Sequence, residues 1–87
     1  MLEYAVAPVM WRHVDDGLVI VDPNSGQMRV FNEVGGKIWQ QFVDGTPYHQ
    51  IHAFLMNTYD LDAAQATVDL DQFIAELTQR ELLVVKR

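Results

Sequence analysis

Short apolar runs separated by turn residues fill the first third of the chain. Residues 9–14 and 18–21 are rich in β-branched and aromatic side chains, and the Asp-Asp-Gly sequence at 15–17 is typical of a tight turn. A second turn sequence, Asp-Pro-Asn-Ser-Gly at 22–26, precedes a third run at 27–31. The pattern predicts a three-stranded antiparallel meander whose third strand lies at the edge of the sheet.

Helical spacing replaces the strand pattern after residue 31. Asn32 is the predicted N-cap of a first helix, which ends at Gly45. Thr46-Pro47 is expected to cap and open a second helix, and Asp62 to cap a third, with Gln65 at the capping-box position. Apolar residues recur three or four positions apart in each helix: Val34, Ile38, Trp39 and Phe42, then Ile51, Phe54 and Leu55, then Ala66, Leu70, Phe73 and Leu77.

The order of these elements predicts an α+β fold. Gly35 and Gly36 cost the first helix roughly 1 kcal/mol each relative to alanine, which close packing against a strand would offset. Residues 82–85 are expected to form a short last strand or an extended tail. The sequence therefore predicts one domain, residues 1–87, of small winged helix-turn-helix type: a three-stranded antiparallel sheet followed by three helices.

Composition and charge exclude several classes of protein. With 49% hydrophobic residues the chain is not expected to be disordered, and without cysteine it has no disulfide, thiolate ligand or cysteine nucleophile. Twelve acidic against six basic residues give a net charge of −6, which disfavours nucleic acid and anionic lipid. No apolar run is long enough to cross a bilayer and no signal peptide is recognisable, so a cytoplasmic location is expected.

Catalytic and metal-binding patterns are weak. His49 and His52 are three residues apart on a predicted helix, near Asp60 and Asp62, but no third histidine has a ligand-like spacing. A solvated helix face is therefore favoured over a metal site. Since no phosphate-binding glycine loop and no convergent catalytic set is present, we expect no enzyme activity and no cofactor.

Two kinds of function remain to be compared, which are DNA binding and peptide binding. The third helix, the element that would enter a DNA groove, carries Asp69, Asp71 and Glu76, which phosphates would repel. The edge strand at 27–31 is protected by Arg29 alone, so it is open to an added strand. At this point the edge is equally compatible with a bound partner strand and with shielding by the last segment or a second copy.

Several motifs, in order, resemble one family. The residues Phe31-Asn32-Glu33-Val34-Gly35, Ile38-Trp39 and Asp44-Gly45 are similar to the LNEVG…IW…DG signature of PqqD-like proteins. The preceding DPNSGQ is similar to the hairpin sequence of that family. The C-terminal pattern of the family is similar to Asp69-Leu70…Phe73-Ile74…Leu77…Leu82-Leu83. The resemblance covers residues 9–85. Phe31 stands in place of the usual leucine and Glu81 in place of the usual glycine.

PqqD-like domains are recognition elements for ribosomally synthesised, modified peptides. The resemblance implies non-catalytic binding of a precursor's leader, which adds as a strand to the third strand and places side chains against the third helix. The Asn-Glu-Val-Gly stretch and Trp39 are more similar to the leader-binding proteins of lasso-peptide clusters, which present the precursor to a separate leader peptidase and then a cyclase. Alternatives are a peptide chaperone of PQQ biosynthesis that serves a radical enzyme, and a DNA-binding winged helix.

The expected site combines the edge strand with one flank of the third helix. At about 100° per residue, Leu70 and Leu77 point into the core, and Asp71 lies on the flank opposite the site. The backbone groups of residues 27–31 are expected to pair with the leader, with Met28 and Val30 facing one side of the strand. The predicted leader-binding residues are Gln27, Met28, Arg29, Val30, Phe31, Asp69, Gln72, Phe73 and Glu76.

Overall fold

Two small antiparallel sheets and three helices make up residues 3–86, the part of the chain that the computed structural model describes. This confirms the predicted α+β fold, in which three antiparallel strands are followed by three helices. The elements are β1 (Glu3–Val6), β2 (Trp11–Val14), β3 (Gly17–Val21), β4 (Met28–Phe31), α1 (Glu33–Val43), α2 (Tyr48–Tyr59), α3 (Ala63–Gln79) and β5 (Leu83–Lys86).

The three predicted strands form the larger sheet, in the order β2-β3-β4. Ile20 in the central strand lies opposite Trp11 on one side and Arg29 on the other. Leu18 and Ile20 are fully buried, because the inner face of the sheet packs against α1. Val19 and Val21, which alternate with these residues along β3, point to the opposite face of the sheet, because successive side chains of a strand point to opposite sides.

The smaller sheet contains a strand that the sequence pattern did not predict. β1 pairs with β5, with Glu3 opposite Lys86 and Val6 opposite Leu83. The last segment is therefore a strand, and its partner is β1, so the alternative in which it shields β4 is wrong. Within residues 3–86, no strand pairs with the outer edge of β4.

Gly35 allows α1 to approach the edge strand closely, as the sequence predicted. A Cβ at this position would lie 3.1 Å from the Cβ of Phe31 and 3.3 Å from Cε1 of Phe73. Nine in ten Cβ contacts in proteins are longer than this, so a side chain here would push α1 away from β4 or from α3. The glycine thus brings α1, α3 and β4 together at one point.

Two of the three predicted helix caps are present. The Asn32 side chain accepts a hydrogen bond from the Gly35 N–H at 3.0 Å, and Asp62 accepts one from the Gln65 N–H at 2.8 Å. Gln65 donates its side-chain amide to Asp69 instead of returning to the backbone of Asp62, so the reciprocal half of the capping box is not formed.

The expected cap of the second helix is wrong by one position. Pro47 is the N-cap and Tyr48 begins α2, and the Pro47 side chain makes no capping hydrogen bond. Proline fixes φ near −65° and has no N–H, so it serves at the entrance of the helix without Thr46 as a cap. The prediction placed proline one residue too far into the helix.

A phenol–carboxylate hydrogen bond joins α2 to α3. The hydroxyl of Tyr48 donates to Oδ1 of Asp71 at 2.7 Å. Burial, followed by the bond to and the charge of Asp71, raises the pKa of Tyr48 to about 12. The folded state therefore holds the phenol proton more tightly than the unfolded state. The contribution of Tyr48 to the free energy of unfolding is complete below pH 10 and is lost as the pH rises through 12.

Replacing Tyr48 with phenylalanine is expected to lower the free energy of unfolding at pH 7 by about 1 kcal/mol, the net value of one hydrogen bond. The variant should also lose part of the wild-type decline in stability between pH 10 and pH 12. Urea unfolding at both ends of this range measures both effects. The control is Tyr59→Phe, since the Tyr59 hydroxyl is buried without a hydrogen-bond partner among residues 3–86 and its removal should not destabilise the fold. Equal losses in the two variants would contradict the assigned bond.

Candidate peptide-binding site

The backbone groups of β4 divide between its two edges in a fixed alternation. The N–H of Asp22 donates to the carbonyl of Gln27 at 2.8 Å, so these two residues form a hydrogen-bonded pair at the end of the β3–β4 hairpin. In an antiparallel ladder such pairs alternate with non-bonded ones. The register therefore makes Ile20–Arg29 a bonded pair, and leaves the N–H and C=O of Met28 turned away from β3.

The same alternation holds on the other side of β3. The N–H of Val21 donates to the carbonyl of Met10 at 2.9 Å, so Val21 bonds to the β2 side of the sheet and not to Met28. By the two-residue period, Val30 is oriented like Met28. The expectation that all of residues 27–31 pair with an added strand is therefore narrowed to the N–H and C=O groups of Met28 and Val30, whereas Arg29 bonds to β3.

A cleft of about 570 Å³ runs along this edge, between β4, the start of α1 and one flank of α3. At its floor the rings of Phe31 and Phe73 meet edge to face, with centroids 5.6 Å apart. Its lining residues come from all three elements: Val30, Phe31, Asn32, Val34, Gly35, Ile38, Asp69, Gln72, Phe73 and Glu76.

The structure brings most of the predicted site residues together, but not all of them. Six of the nine line the cleft: Val30, Phe31, Asp69, Gln72, Phe73 and Glu76. The other three do not. Gln27 lies in the hairpin before β4, Met28 is exposed at the hairpin end of β4 outside the cleft lining, and the Arg29 side chain lies 3.8 Å from the carboxylate of Asp22.

Sequence reasoning missed the wall that α1 contributes. Val34 and Ile38 are one helical turn apart and line the cleft next to Gly35. The sequence pattern indicates only that both belong to the apolar face of the helix, and in the structure Ile38 is buried while Val34 is half-buried. A signal was available, because the two adjacent glycines already predicted that the first turns of α1 approach the edge strand closely.

The rim of the cleft is acidic. Asp69 and Glu76 are both exposed and stand about two turns of α3 apart, on either side of Phe73. Asp69 accepts a hydrogen bond from the side chain of Gln65 at 2.7 Å, and Glu76 lies 3.8 Å from Arg80. None of the residues that line the cleft within the described chain is basic. The cleft therefore suits an apolar side chain flanked by cationic or hydrogen-bond-donating groups.

The two histidines of α2, His49 and His52, lie outside the cleft. Nε2 of His52 lies 3.0 Å from both the carbonyl of Ala63 and Oγ1 of Thr67, so this nitrogen is used within the α2–α3 interface. Residues 3–86 contain no group of three or more histidine, aspartate or glutamate side chains placed to hold a metal ion.

None of the helices between residues 3 and 86 has the length and apolarity to span a membrane.

The fold and the cleft define a class of small α+β domains in which an open sheet edge lies beside a groove on the last helix. Residues 17–83 match the model of the family described as Coenzyme PQQ synthesis protein D (PqqD). Because the match spans well over half of the 87 residues, the chain belongs to the PqqD family.

Two solved structures resemble the chain over nearly its whole length. One is TbiB1 in complex with the TbiA(beta) leader peptide, with a TM-score of 0.84 and 26% sequence identity over 91% of this chain and 93% of that chain. The other is lasso peptide synthetase B1 complexed with the leader peptide, with a TM-score of 0.84 and 23% identity over 94% of this chain and 98% of that one. No curated protein sequence matches the chain.

Proposed function

We propose that the chain binds the leader of a ribosomally synthesised precursor peptide as an added strand on β4, and that it catalyses no reaction itself. The observation that carries this proposal is the outward orientation of the Met28 and Val30 backbone groups directly beside the cleft. The likeness to TbiB1 in complex with a leader peptide supports it.

Strand addition divides the recognition between the backbone and the side chains of the leader. Hydrogen bonds to Met28 and Val30 are independent of the leader's sequence and supply affinity. Alternate leader side chains then point towards α3, where Phe31 and Phe73 accept an apolar group and Asp69 and Glu76 favour basic or donor groups beside it. The remaining predicted residues, Gln27 and Arg29, would contact the leader at the hairpin end of the strand.

The proposed leader belongs to a lasso-peptide precursor, which the chain presents to a separate leader peptidase and then to a cyclase. The two leader complexes with the same fold support this assignment. The second candidate is a PQQ-type chaperone that serves a radical enzyme, which the name of the matching family favours. In either case the chain meets a newly translated peptide, so we place it in the cytoplasm.

Titration of the purified chain with fluorescently labelled leader peptides tests the proposal. The leaders of any lasso or PQQ-type precursors encoded near its gene serve as probes, with a scrambled leader of the same composition as the control. We expect saturable binding of the lasso leader with a Kd of micromolar or below, about −8 kcal/mol or stronger. Binding of the PQQ-type leader alone would favour the second candidate. No binding of either leader at high micromolar concentration would refute leader recognition.

A further inference from the structure

Arg29 is a basic residue of β4 that lies beside the acidic cleft without lining it. It is paired with the buried Ile20 of β3, so its side chain points to the same face of the sheet as that of Ile20. Phe31 is two residues further along β4 and points to this face as well. The position of Arg29 therefore continues the cleft face towards the β3–β4 hairpin.

The side chain of Arg29 is held in place by a charge but is not satisfied by it. Its Nε is buried and has no hydrogen-bond partner among residues 3–86. Oδ2 of Asp22 lies 3.8 Å from this nitrogen, whereas hydrogen bonds between ionised groups measure about 2.7–2.9 Å. Asp22 is itself buried and accepts a hydrogen bond from the N–H of Asn24 at 2.9 Å. Arg29 is thus oriented by Asp22 and still requires an acceptor.

A leader strand on β4 would bring one of its side chains to Arg29. A strand that bonds to the backbone of Met28 and Val30 places one residue beside Arg29 and another beside Phe31. Neighbouring residues on paired strands point to the same face, and these two leader residues are two positions apart, about 7 Å along the strand. One therefore faces the guanidinium while the other enters the cleft between Phe31 and Phe73.

The two sides of the cleft carry opposite charges. Asp69 and Glu76 stand on α3, and Arg29 stands on the sheet. A carboxylate beside Arg29 can accept two parallel hydrogen bonds from the guanidinium, whereas a cation there is repelled. An apolar residue would remove water from the guanidinium and leave its donors unpaired. The arginine therefore favours an acid at this position of the leader and disfavours the other residue types.

We propose that Arg29 is a specificity-determining residue, which selects leaders with aspartate or glutamate two positions from the apolar residue in the cleft. This inference rests on the proposed function, because it requires a leader strand on β4. The chain runs from Arg29 to Phe31, so the acid follows the apolar residue in an antiparallel leader and precedes it in a parallel one. The contact also fixes the register, since a shift of one residue turns the carboxylate to the other face.

The first part of the test varies the leader, which leaves the fold of the chain untouched. The probe is the labelled leader that binds in the titration described above, and an alanine scan of this peptide identifies its apolar residue. Glutamate, glutamine and lysine are then placed in turn at each of the two positions that lie two residues from it. At one of these positions we expect the glutamate peptide to bind at least about tenfold more tightly than the lysine peptide. That position gives the direction of the bound strand.

The second part varies the protein. Arg29→Gln should bind the glutamate and lysine peptides with equal Kd, and Arg29→Glu should prefer the lysine peptide. Arg12→Glu is the matched control, because Arg12 is an exposed arginine on the opposite edge strand of the same sheet and its reversal changes the net charge equally. It should keep the preference of the wild type. Circular dichroism melting checks the fold of Arg29→Gln, since this variant also loses the charge that faces Asp22.

The outcomes separate this inference from leader recognition itself. If the wild type binds the leader but does not distinguish the glutamate from the lysine peptides, Arg29 does not select the leader and leader recognition stands. If Arg29→Gln is folded and keeps the preference of the wild type, another residue detects the charge and the inference is refuted. If no leader binds to the wild type, the proposed function and the role of Arg29 are both refuted.

Discussion

Replacing Val30 with proline is expected to weaken leader binding strongly while the domain stays folded. The N–H of Val30 points to the open edge, so its loss breaks no bond to β3. Proline removes this donor, and its ring occupies the space that an incoming strand would need. We expect binding to weaken by about 2–3 kcal/mol, roughly 30- to 150-fold in Kd, as measured by leader titration with circular dichroism melting as the check on folding.

Two further variants separate the loss of the Val30 N–H from the loss of the Val30 side chain and from a general destabilisation of the fold. Val30→Ala keeps the N–H and should retain most of the affinity. Arg29→Pro removes an N–H that faces Ile20, so it should lower the free energy of unfolding by about 1–3 kcal/mol instead of acting on binding alone. The sequence pattern points to position 29 for this experiment, on the condition that its N–H faces the open edge, and the register shows that this N–H faces β3 instead. Normal leader binding by Val30→Pro would show that β4 is not the docking strand.

Reversing the charge of Asp69 is expected to weaken leader binding by about 1–3 kcal/mol, the range for a hydrogen bond to a charged group. Asp69 lies at the rim of the cleft next to Phe73, where a leader cation or donor would meet it. The fold should tolerate Asp69→Lys, because the side chain is exposed and contributes one hydrogen bond within α3, from Gln65. Titration of both proteins with the same leader, at low and high salt, measures the loss and its electrostatic part.

The matched control on the opposite flank needs a conservative substitution. Asp71 accepts a hydrogen bond from Tyr48, so a lysine at position 71 would disturb the α2–α3 interface as well as the charge. Asparagine keeps an acceptor oxygen, and Asp69→Asn compared with Asp71→Asn therefore changes one charge on each flank. We expect the first to weaken binding and the second to leave it unchanged. Equal effects, or no effect of Asp69→Lys, would place the groove elsewhere.

Local signals were sufficient to predict the order of the main elements. The turn residues at 15–17 and 22–26 fix the two hairpins, and Asn32 and Asp62 cap their helices as expected. Helical periodicity also placed Leu70 and Leu77 in the core, where both are fully buried. Each of these features depends on residues a few positions apart, which is the range over which a sequence pattern is informative.

Features set by distant residues could not be predicted in the same way. β1 has four residues and becomes a strand by pairing with β5, whose residues lie at the other end of the described chain. The orientation of the Val30 N–H follows from the register of β3 and β4, which the hydrogen bond from Asp22 to Gln27 identifies, and a shift of one residue would reverse it. The wall that Val34 contributes to the cleft likewise depends on how closely α1 approaches β4.

The pairing of β1 with β5 makes the domain a candidate for circular permutation. Glu3 and Lys86 are antiparallel partners, so the two ends of the described chain lie about 5 Å apart at their Cα atoms. A short glycine-rich linker could join them into an ordinary hairpin, with new ends opened at the α2–α3 turn near Asp60. In such a rearranged chain the contact that now closes the longest loop becomes local, so its entropic cost falls and this sheet could form early in folding. The order in which the two sheets form would then be a property of the connectivity, separable from the binding surface on β4.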